Sequence, residues 1–228
     1  MISRFRPLLL GSASPRRSAL VASLGLPFLV LPADIVEDAE PGERPRAYLE
    51  RIAAAKLAAV YERLRREGRP AQAPDGIAAI LVADTTVVID DQIVGKPADV
   101  RDAVHTLNRL VGRTHTVLTR YAIGADPDQV RPAELLARTV ETSVTLRAAS
   151  EREVRGYAAS GEGLDKAGAY AAQGLGAFLV EAVSGSYTNV VGLPVCELVS
   201  DLRTLGVLPE FPDSFFPAGF DSPRSSGG

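Results

Sequence analysis

The chain has 228 residues, of which 46% are hydrophobic and 23% are charged, and its formal net charge is -3. This composition is typical of a globular protein, and the slightly negative charge argues against a protein that binds nucleic-acid polymers through bulk positive charge. No stretch is apolar for long enough to cross a membrane, so we expect no membrane association.

Cysteine and histidine are too scarce for several kinds of site. The single cysteine, Cys196, excludes an internal disulfide and is compatible with the reducing cytoplasm. With only His105 and His115 as histidines, clustered Cys/His metal sites are excluded as well. Any metal bound by this chain would therefore be a hard cation held by carboxylates.

A strand, a small-residue loop and a helix are predicted at the start of the chain. Residues 7–10 predict a short strand, and residues 11–14 predict a loop of glycine, serine and alanine. Ser14 is a favourable N-cap, Pro15 suits the first helical position, and Gly25 is a typical helix end.

Arg16 and Arg17 fall in the first turn of this helix. Cations at a helix N-terminus oppose the macrodipole, at a cost of about 0.3–1 kcal/mol each. Helix amides, hydroxyl groups and guanidinium groups together are typical of an anion site, which we favour over the alternative of two solvated arginines.

A second strand, an acidic loop and a long helix follow. Residues 27–33 predict the strand, the loop after it includes Glu37, and residues 45–66 predict the helix. Lys56 interrupts the apolar stripe of this helix, so it either reaches out from the edge of the stripe or directs its ammonium group at a phosphate. The stripe consists of Leu49, Ala53, Lys56 and Val60.

The most informative stretch is an apolar hairpin with one acid at its centre. Residues 77–89 predict a buried strand that contains Asp84, residues 90–91 a turn, and residues 92–94 a short return strand that leads to Lys96. A buried acid needs a partner, which could simply be backbone or an arginine. We favour an acid that faces a cleft, because the hairpin returns Lys96 toward it.

Helices and strands continue to alternate after the hairpin. A connection over 67–76 precedes the hairpin. After the hairpin we predict a helix from Asp99 to Gly112, a helix that begins with a capping box of Ser150 and Glu153, and a helix over 195–205, with strands over 113–121, 140–146 and 178–183. The remaining segments are a surface insertion over 124–137, a loop over 184–192 and a tail over 209–228. Residues 163–176 form a glycine-rich loop with Asp165, Lys166 and Gln173, and a loop of this length is often functional.

Six motifs in this order resemble those of the Maf family of nucleoside triphosphate pyrophosphatases. They are GSASPRR at 11–17, ADT at 83–85, GKP at 95–97, GRTH at 112–115, LDKAGAYAAQGLGA at 164–177 and GSYTNVVGLP at 185–194. The resemblance covers roughly residues 8–207. It implies an α/β fold with an elongated mixed β-sheet flanked by helices around a central cleft, akin to the inosine triphosphatases.

The resemblance also implies an organisation for the whole chain. We expect a single domain over residues 1–207 with two lobes around the cleft, and a mobile C-terminal tail over residues 208–228. The family implies a cytoplasmic homodimer.

Substrate-binding roles follow from the same resemblance. Ser12, Arg16 and Arg17 would bind the triphosphate, while Thr85 and Gln173 match positions that influence the choice of base. Thr85 after the acid, together with Gln173, is similar to the branch of the family that favours dTTP and UTP.

Catalytic roles are implied for four charged residues. Glu37, Lys56, Asp84 and Lys96 would line the cleft, with Asp84 as the proton acceptor. Asp84 and Glu37 would also contact a divalent metal cation, Mg or Mn.

Two other functions remain open at this point. One is a nucleotide-binding regulator of cell division or septum formation that does not turn over its ligand. The other is an enzyme for modified nucleotides. For His115 and Asn189, which lie within the matched motifs, we expect a hydrogen-bonded structural role.

Overall fold

A computed structural model of the chain describes residues 1–126, 128, 134–208 and 211–212. Within these residues the protein is an α/β structure, which confirms the predicted fold class. The strands are β1 (Leu8–Leu10), β2 (Phe28–Val30), β3 (Ala79–Ile89), β4 (Gln92–Val94), β5 (Thr114–Gly124), β6 (Glu134–Leu146) and β7 (Val180–Ser184).

The helices pack around these strands. Two 3-10 segments, Ala167–Ala169 and Gly174–Leu179, lie within or next to the glycine-rich loop. In the described part of the chain, none of the helices is both long and apolar enough to cross a membrane. The α-helices are α1 (Pro15–Ser23), α2 (Pro45–Glu67), α3 (Val100–Leu110), α4 (Glu151–Ala159), α5 (Tyr187–Val191) and α6 (Val195–Thr204).

β3 is the central strand of a seven-stranded mixed sheet with the order β2-β1-β3-β5-β6-β7, and β4 also pairs with β3. On one edge, β3 pairs with β1 over residues 79–81 and with β4 over residues 87–89. Its other edge pairs continuously with β5 over residues 80–88. In the described sheet, residues 82–86 therefore have a neighbouring strand on one side only, and Asp84 lies in the middle of this gap.

Both faces of the sheet are covered, which explains why the β3 sequence is a continuous apolar run. Successive side chains of a strand point to opposite faces. Ile80 and Val82 accordingly pack with α2, whereas Leu81 and Ala83 pack with α1 and α6. Val87, on the same face as Leu81, joins a separate cluster with α3 and α4.

The helix starts follow the predicted capping chemistry. Ser14 caps α1 by accepting a hydrogen bond from the Arg17 amide, and Asp99 caps α3 by accepting one from the Asp102 amide. At α4, the capping box of Ser150 and Glu153 is complete in both directions. These contacts are local in sequence, so spacing alone predicts them.

Two predicted loops are wrong in part. The surface insertion over 124–137 is shorter than expected, because β5 continues to Gly124 and β6 already begins at Glu134. The loop over 184–192 contains the short helix α5, whose N-cap Ser186 accepts from the Asn189 amide. In both places cross-strand pairing or a local cap outweighs a composition that favours loops.

Some predictions fall on residues that the structure does not describe. Within the predicted insertion these are residues 127 and 129–133, and within the predicted tail they are residues 209–210 and 213–228. The division into two lobes and a mobile tail stays a prediction.

Gly163 begins the glycine-rich loop at a very close backbone contact. A Cβ atom added here would lie 2.0 Å from the carbonyl oxygen of Ala169. Since that oxygen belongs to the backbone, a side chain at 163 can fit only if the loop moves. The loop that carries Gln173 is thus folded tightly on itself.

We predict opposite effects for two glycine-to-alanine substitutions. Gly163→Ala should destabilise the protein by roughly 1–3 kcal/mol, because the new methyl group overlaps the backbone of the loop. Gly156→Ala in α4 should stabilise it by about 0.5–1 kcal/mol, since a Cβ at 156 meets no heavy atom within 4 Å and alanine favours helix. Urea denaturation of both variants measures the difference, and equal stabilities would contradict the tight loop.

Candidate active site

A cleft of about 1040 Å³ opens at the gap along β3. All the residues to which the sequence resemblance assigns a site role lie on its wall, although they come from distant segments of the chain. The structure thus places all of these residues at one site, while the role of each residue stays a prediction. They are Ser12, Arg16, Arg17, Glu37, Lys56, Asp84, Thr85, Lys96 and Gln173.

At the floor of the cleft, the Lys56 ammonium group joins two carboxylates. Lys56 Nζ lies 2.6 Å from Asp84 Oδ1 and 2.8 Å from Glu37 Oε1, and it also donates to the Ala83 carbonyl at 3.3 Å. Lys56 and Asp84 are each only 5% exposed. Of the two alternatives left open by the sequence, the structure therefore excludes a lysine that reaches into solvent.

Local electrostatics favour the ionised form of Glu37. Burial raises the pKa of its carboxyl group, but the hydrogen bond and charge of Lys56, together with the charges of Lys96 and Arg17, outweigh burial and lower it overall. Conversely, burial and the nearby charges of Asp84 and Glu37 raise the pKa of Tyr48, which keeps its phenol protonated.

Arg17 is buried and held by three neutral oxygen atoms. Its Nε donates to the Gly192 carbonyl at 2.8 Å, and its two terminal nitrogens donate to Ser12 Oγ at 3.1 Å and Thr85 Oγ1 at 3.0 Å. Burial lowers the pKa of Arg17, and the charges of Asp84 and Glu37 oppose that shift. None of these contacts neutralises the guanidinium, so its charge remains available to an anion.

Arg16 lies nearer to solvent and pairs across the cleft. Its guanidinium is 3.0 Å from Asp165 Oδ2, and the two side chains are 32% and 65% exposed. This ion pair connects α1 to the glycine-rich loop. Because it is exposed, we expect it to contribute at most about 1 kcal/mol to stability.

The remaining predicted residues, Lys96 and Gln173, are exposed on the wall of the cleft. Gln173 immediately precedes a turn whose amides, from Leu175 and Gly176, donate to the Glu162 carboxylate at 2.8 and 2.7 Å. Glu162 thereby fixes the backbone beside Gln173.

The arrangement suits a polyphosphate. Guanidinium groups from α1 and ammonium groups from α2 and from the segment after β4 line the same cleft as two carboxylates, those of Asp84 and Glu37. Guanidinium groups can bind phosphate oxygens in a bidentate way, and lysines act as point charges. A carboxylate among them can accept a proton from a water molecule.

A family model described as Maf-like protein matches residues 7–205 of the chain. The chain belongs to the Maf family. The suspected resemblance is thereby confirmed over nearly all of the described residues.

Several Maf relatives are similar to the chain over almost their whole length. A dTTP/UTP pyrophosphatase of Geobacter metallireducens is 47% identical over 201 residues, which cover 88% of this chain and 97% of the relative. The dTTP/UTP pyrophosphatase of Desulfotalea psychrophila is 44% identical and covers 89% and 96%. That of Hahella chejuensis is 42% identical and covers 89% and 94%.

Sequence reasoning missed two residues of this Maf site. Tyr48 lines the cleft and donates a hydrogen bond to the Glu37 carbonyl at 3.0 Å. It precedes Ile52 and Lys56 at a spacing of four, so the helical period could have placed it on the same face. Thr119 contacts Thr85 from β5, and only the strand register brings these two residues together.

The two motif residues without a predicted chemical role are buried and hydrogen-bonded. His115 Nε2 is 2.8 Å from the Tyr170 hydroxyl, and Asn189 Nδ2 donates to the Val117 carbonyl and to Thr142 Oγ1. Burial lowers the pKa of His115 to about 4. These contacts agree with the structural role expected for both.

We predict that Lys56 stabilises the folded protein by compensating Asp84. Lys56→Met should lower the free energy of unfolding by roughly 3 kcal/mol, because it leaves a buried carboxylate without its cation. The matched control is Lys96→Met, at an exposed lysine of the same cleft, which should change stability by no more than about 0.5 kcal/mol. Chemical denaturation measures both, and equal effects would show that Lys56 does not compensate a buried charge.

We predict that His115 makes stability depend on pH. Its pKa falls from 6.5 to about 4 on folding, so the unfolded chain binds a proton at a higher pH than the folded protein does. The stabilisation is present above pH 6.5 and is lost as the pH falls toward 4, by about 3 kcal/mol in total. Denaturation at several pH values should show a shallower loss for His115→Gln, whereas His105→Gln, at an exposed histidine, should behave like the wild type.

Proposed function

We propose that this chain is a nucleoside triphosphate pyrophosphatase that hydrolyses dTTP and UTP to the monophosphate and pyrophosphate. The observation that carries the proposal is the 47% identity, over 88% of the chain, to a relative named dTTP/UTP pyrophosphatase. The geometry supports it independently, because the cleft combines several cations with two carboxylates.

Phosphate binding is assigned to the cationic side of the cleft. Arg16 and Arg17 bind phosphate oxygens, and Ser12 adds a hydroxyl group next to Arg17. Lys96 supplies a point charge from the exit of the hairpin. Such hydrolysis needs mainly correct positioning and stabilisation of charge, which these groups provide.

Proton transfer is assigned to Asp84. Water attacks the triphosphate, the bond between the α- and β-phosphates breaks, pyrophosphate leaves, and Asp84 takes the proton of the attacking water. Lys56 holds one oxygen of Asp84 at 2.6 Å, which orients the carboxylate at the gap in the sheet. Glu37 shares the same lysine and stays ionised beside it.

The carboxylates also fit a divalent metal cation such as Mg or Mn. Asp84 and Glu37 both contact one ammonium group, so they lie close enough to act on a common ligand. Mg²⁺ is usually held by one or two carboxylates together with water and substrate phosphates, so Asp84 and Glu37 would suffice as its protein ligands. Such an ion would neutralise phosphate charge and lower the pKa of bound water.

Base choice, assembly and location complete the proposal. Thr85 and Gln173 contact the base side of the substrate, as in the dTTP/UTP branch that the sequence resembles. A homodimer in the cytoplasm is proposed on the same resemblance. Light scattering of the purified protein measures the oligomeric state directly, and a monomer at micromolar concentration would contradict the dimer.

We predict that Asp84→Asn separates turnover from binding. The amide cannot accept the proton, so kcat for UTP and dTTP should fall on the order of 10²–10⁴-fold. Triphosphate binding should change little, since the arginines and lysines remain. Pyrophosphate release with Mg²⁺ and calorimetric titration with UTP measure the two quantities.

Asp90→Asn is the matched control for this experiment. Asp90 lies on the same hairpin, is exposed, and pairs with Arg113 outside the cleft. Its variant should keep wild-type kcat. Full activity in Asp84→Asn would remove Asp84 from its role, and tight triphosphate binding by the wild type without pyrophosphate release would favour the regulator over the enzyme.

A further inference from the structure

Thr119 on β5 is fully buried directly behind the cleft residue Thr85. The strand register places the two threonines opposite each other, and their hydroxyl oxygens are 2.9 Å apart. Thr119 Oγ1 also lies 3.1 Å from the carbonyl oxygen of Asn189, in the middle of α5. Thr119 is absent from the wall of the cleft, so any role in the reaction has to pass through its neighbours.

The hydrogen bonds around Thr119 close into a ring that includes Arg17. Arg17 donates to Thr85 at 3.0 Å and to the Gly192 carbonyl at 2.8 Å. The Gly192 amide donates to the Asn189 carbonyl at 3.0 Å, and Thr119 connects that same carbonyl back to Thr85. Two of the three oxygen atoms that hold the Arg17 guanidinium, those of Thr85 and Gly192, are therefore connected through Thr119.

The direction of the Thr85 hydroxyl depends on where the two threonine protons go. Thr119 can donate to Asn189 while Thr85 donates to Thr119, or Thr119 can donate to Thr85 while Thr85 donates to the Gly192 carbonyl at 3.3 Å. The first arrangement has the shorter bonds. In both, the Thr85 proton stays inside the protein, so Thr85 offers only acceptor capacity to Arg17 and to the cleft.

We propose that Thr119 is a positioning residue that holds Thr85, and through it Arg17, in the orientation that binds the triphosphate. This inference rests on the proposed function of the same site. Removal of the Thr119 hydroxyl takes away the shorter of the two contacts that fix the Thr85 hydroxyl and leaves only the longer one, to the Gly192 carbonyl at 3.3 Å. Thr85 is then held less firmly as the acceptor for one terminal nitrogen of Arg17.

The test compares valine and serine at position 119. Thr119→Val keeps the shape and removes the hydroxyl, so KM for UTP and dTTP should rise about tenfold with a smaller change in kcat. Thr119→Ser restores the hydroxyl and should lie within about twofold of the wild type. Pyrophosphate release at varied nucleotide concentration measures both constants, and thermal unfolding verifies that the variants are folded.

β5 itself offers a matched control. Thr114 forms a similar cross-strand threonine pair with Thr145 at 2.8 Å, at an exposed position outside the cleft. Thr114→Val should leave KM and kcat unchanged. If Thr119→Val does not fold, Thr119→Ala takes its place as the variant without the hydroxyl, and Thr119→Ser remains the variant that keeps it.

A double-mutant cycle with Thr85→Val tests whether Thr119 acts through Thr85. On the Thr85→Val background, Thr119→Val should raise KM by less than about twofold, because the shared contact is already lost. Fully multiplicative effects, or a Thr119→Val enzyme with wild-type KM, would overturn the proposal.

A binding measurement separates this inference from the proposed function. Titration with inorganic tripolyphosphate should show weaker binding to Thr119→Val than to the wild type, whether or not the protein turns over nucleotides. A wild type that releases no pyrophosphate but binds tripolyphosphate in this Thr119-dependent way would refute the enzyme and keep the positioning role. If the wild type is active and Thr119→Val binds tripolyphosphate as tightly as the wild type, the enzyme is kept and the positioning role of Thr119 is refuted.

Discussion

The buried contact between Lys56 and Asp84 is the interaction on which the site depends. A carboxylate in the middle of a core strand is too costly without compensation, and the ammonium group from α2 supplies it at 2.6 Å. The same ammonium group binds Glu37, so one cation fixes two acids at the floor of the cleft. The site is therefore assembled by charge pairing between α2 and β3.

The gap along β3 explains why this contact faces a cleft. Because β1 and β4 pair with different ends of β3, its middle has a strand neighbour on one edge only in the described sheet. Consecutive side chains there point to opposite faces. Asp84 meets Lys56 on the α2 face, and Thr85 meets Arg17 on the other. One interruption in pairing thus brings acid-base and phosphate-binding groups to the same opening.

The sequence predicted the parts of the site that depend on local pattern, and missed those that depend on pairing. Asp84 stands out as an acid in an apolar run, and helical spacing places Lys56 on a buried face without showing what that face meets. The insertion over 124–137 was predicted too long, since its loop-like composition hides two strand ends. The helix Tyr187–Val191 is only five residues long, too short for a periodic signal. Thr119 becomes visible only once the register of β5 is known.

The ion pair between Arg16 and Asp165 has a consequence for the order of events at the cleft. Asp165 contacts one terminal nitrogen of Arg16, so a phosphate group that binds at that nitrogen would compete with the Asp165 carboxylate. When the phosphate wins, Asp165 keeps Lys166 as its partner, and the tether between α1 and the glycine-rich segment is exchanged for one to the ligand. That segment also carries Gln173, but the backbone beside Gln173 stays held by the Glu162 carboxylate, so the exchange would give up one exposed ion pair and leave the rest of this wall in place.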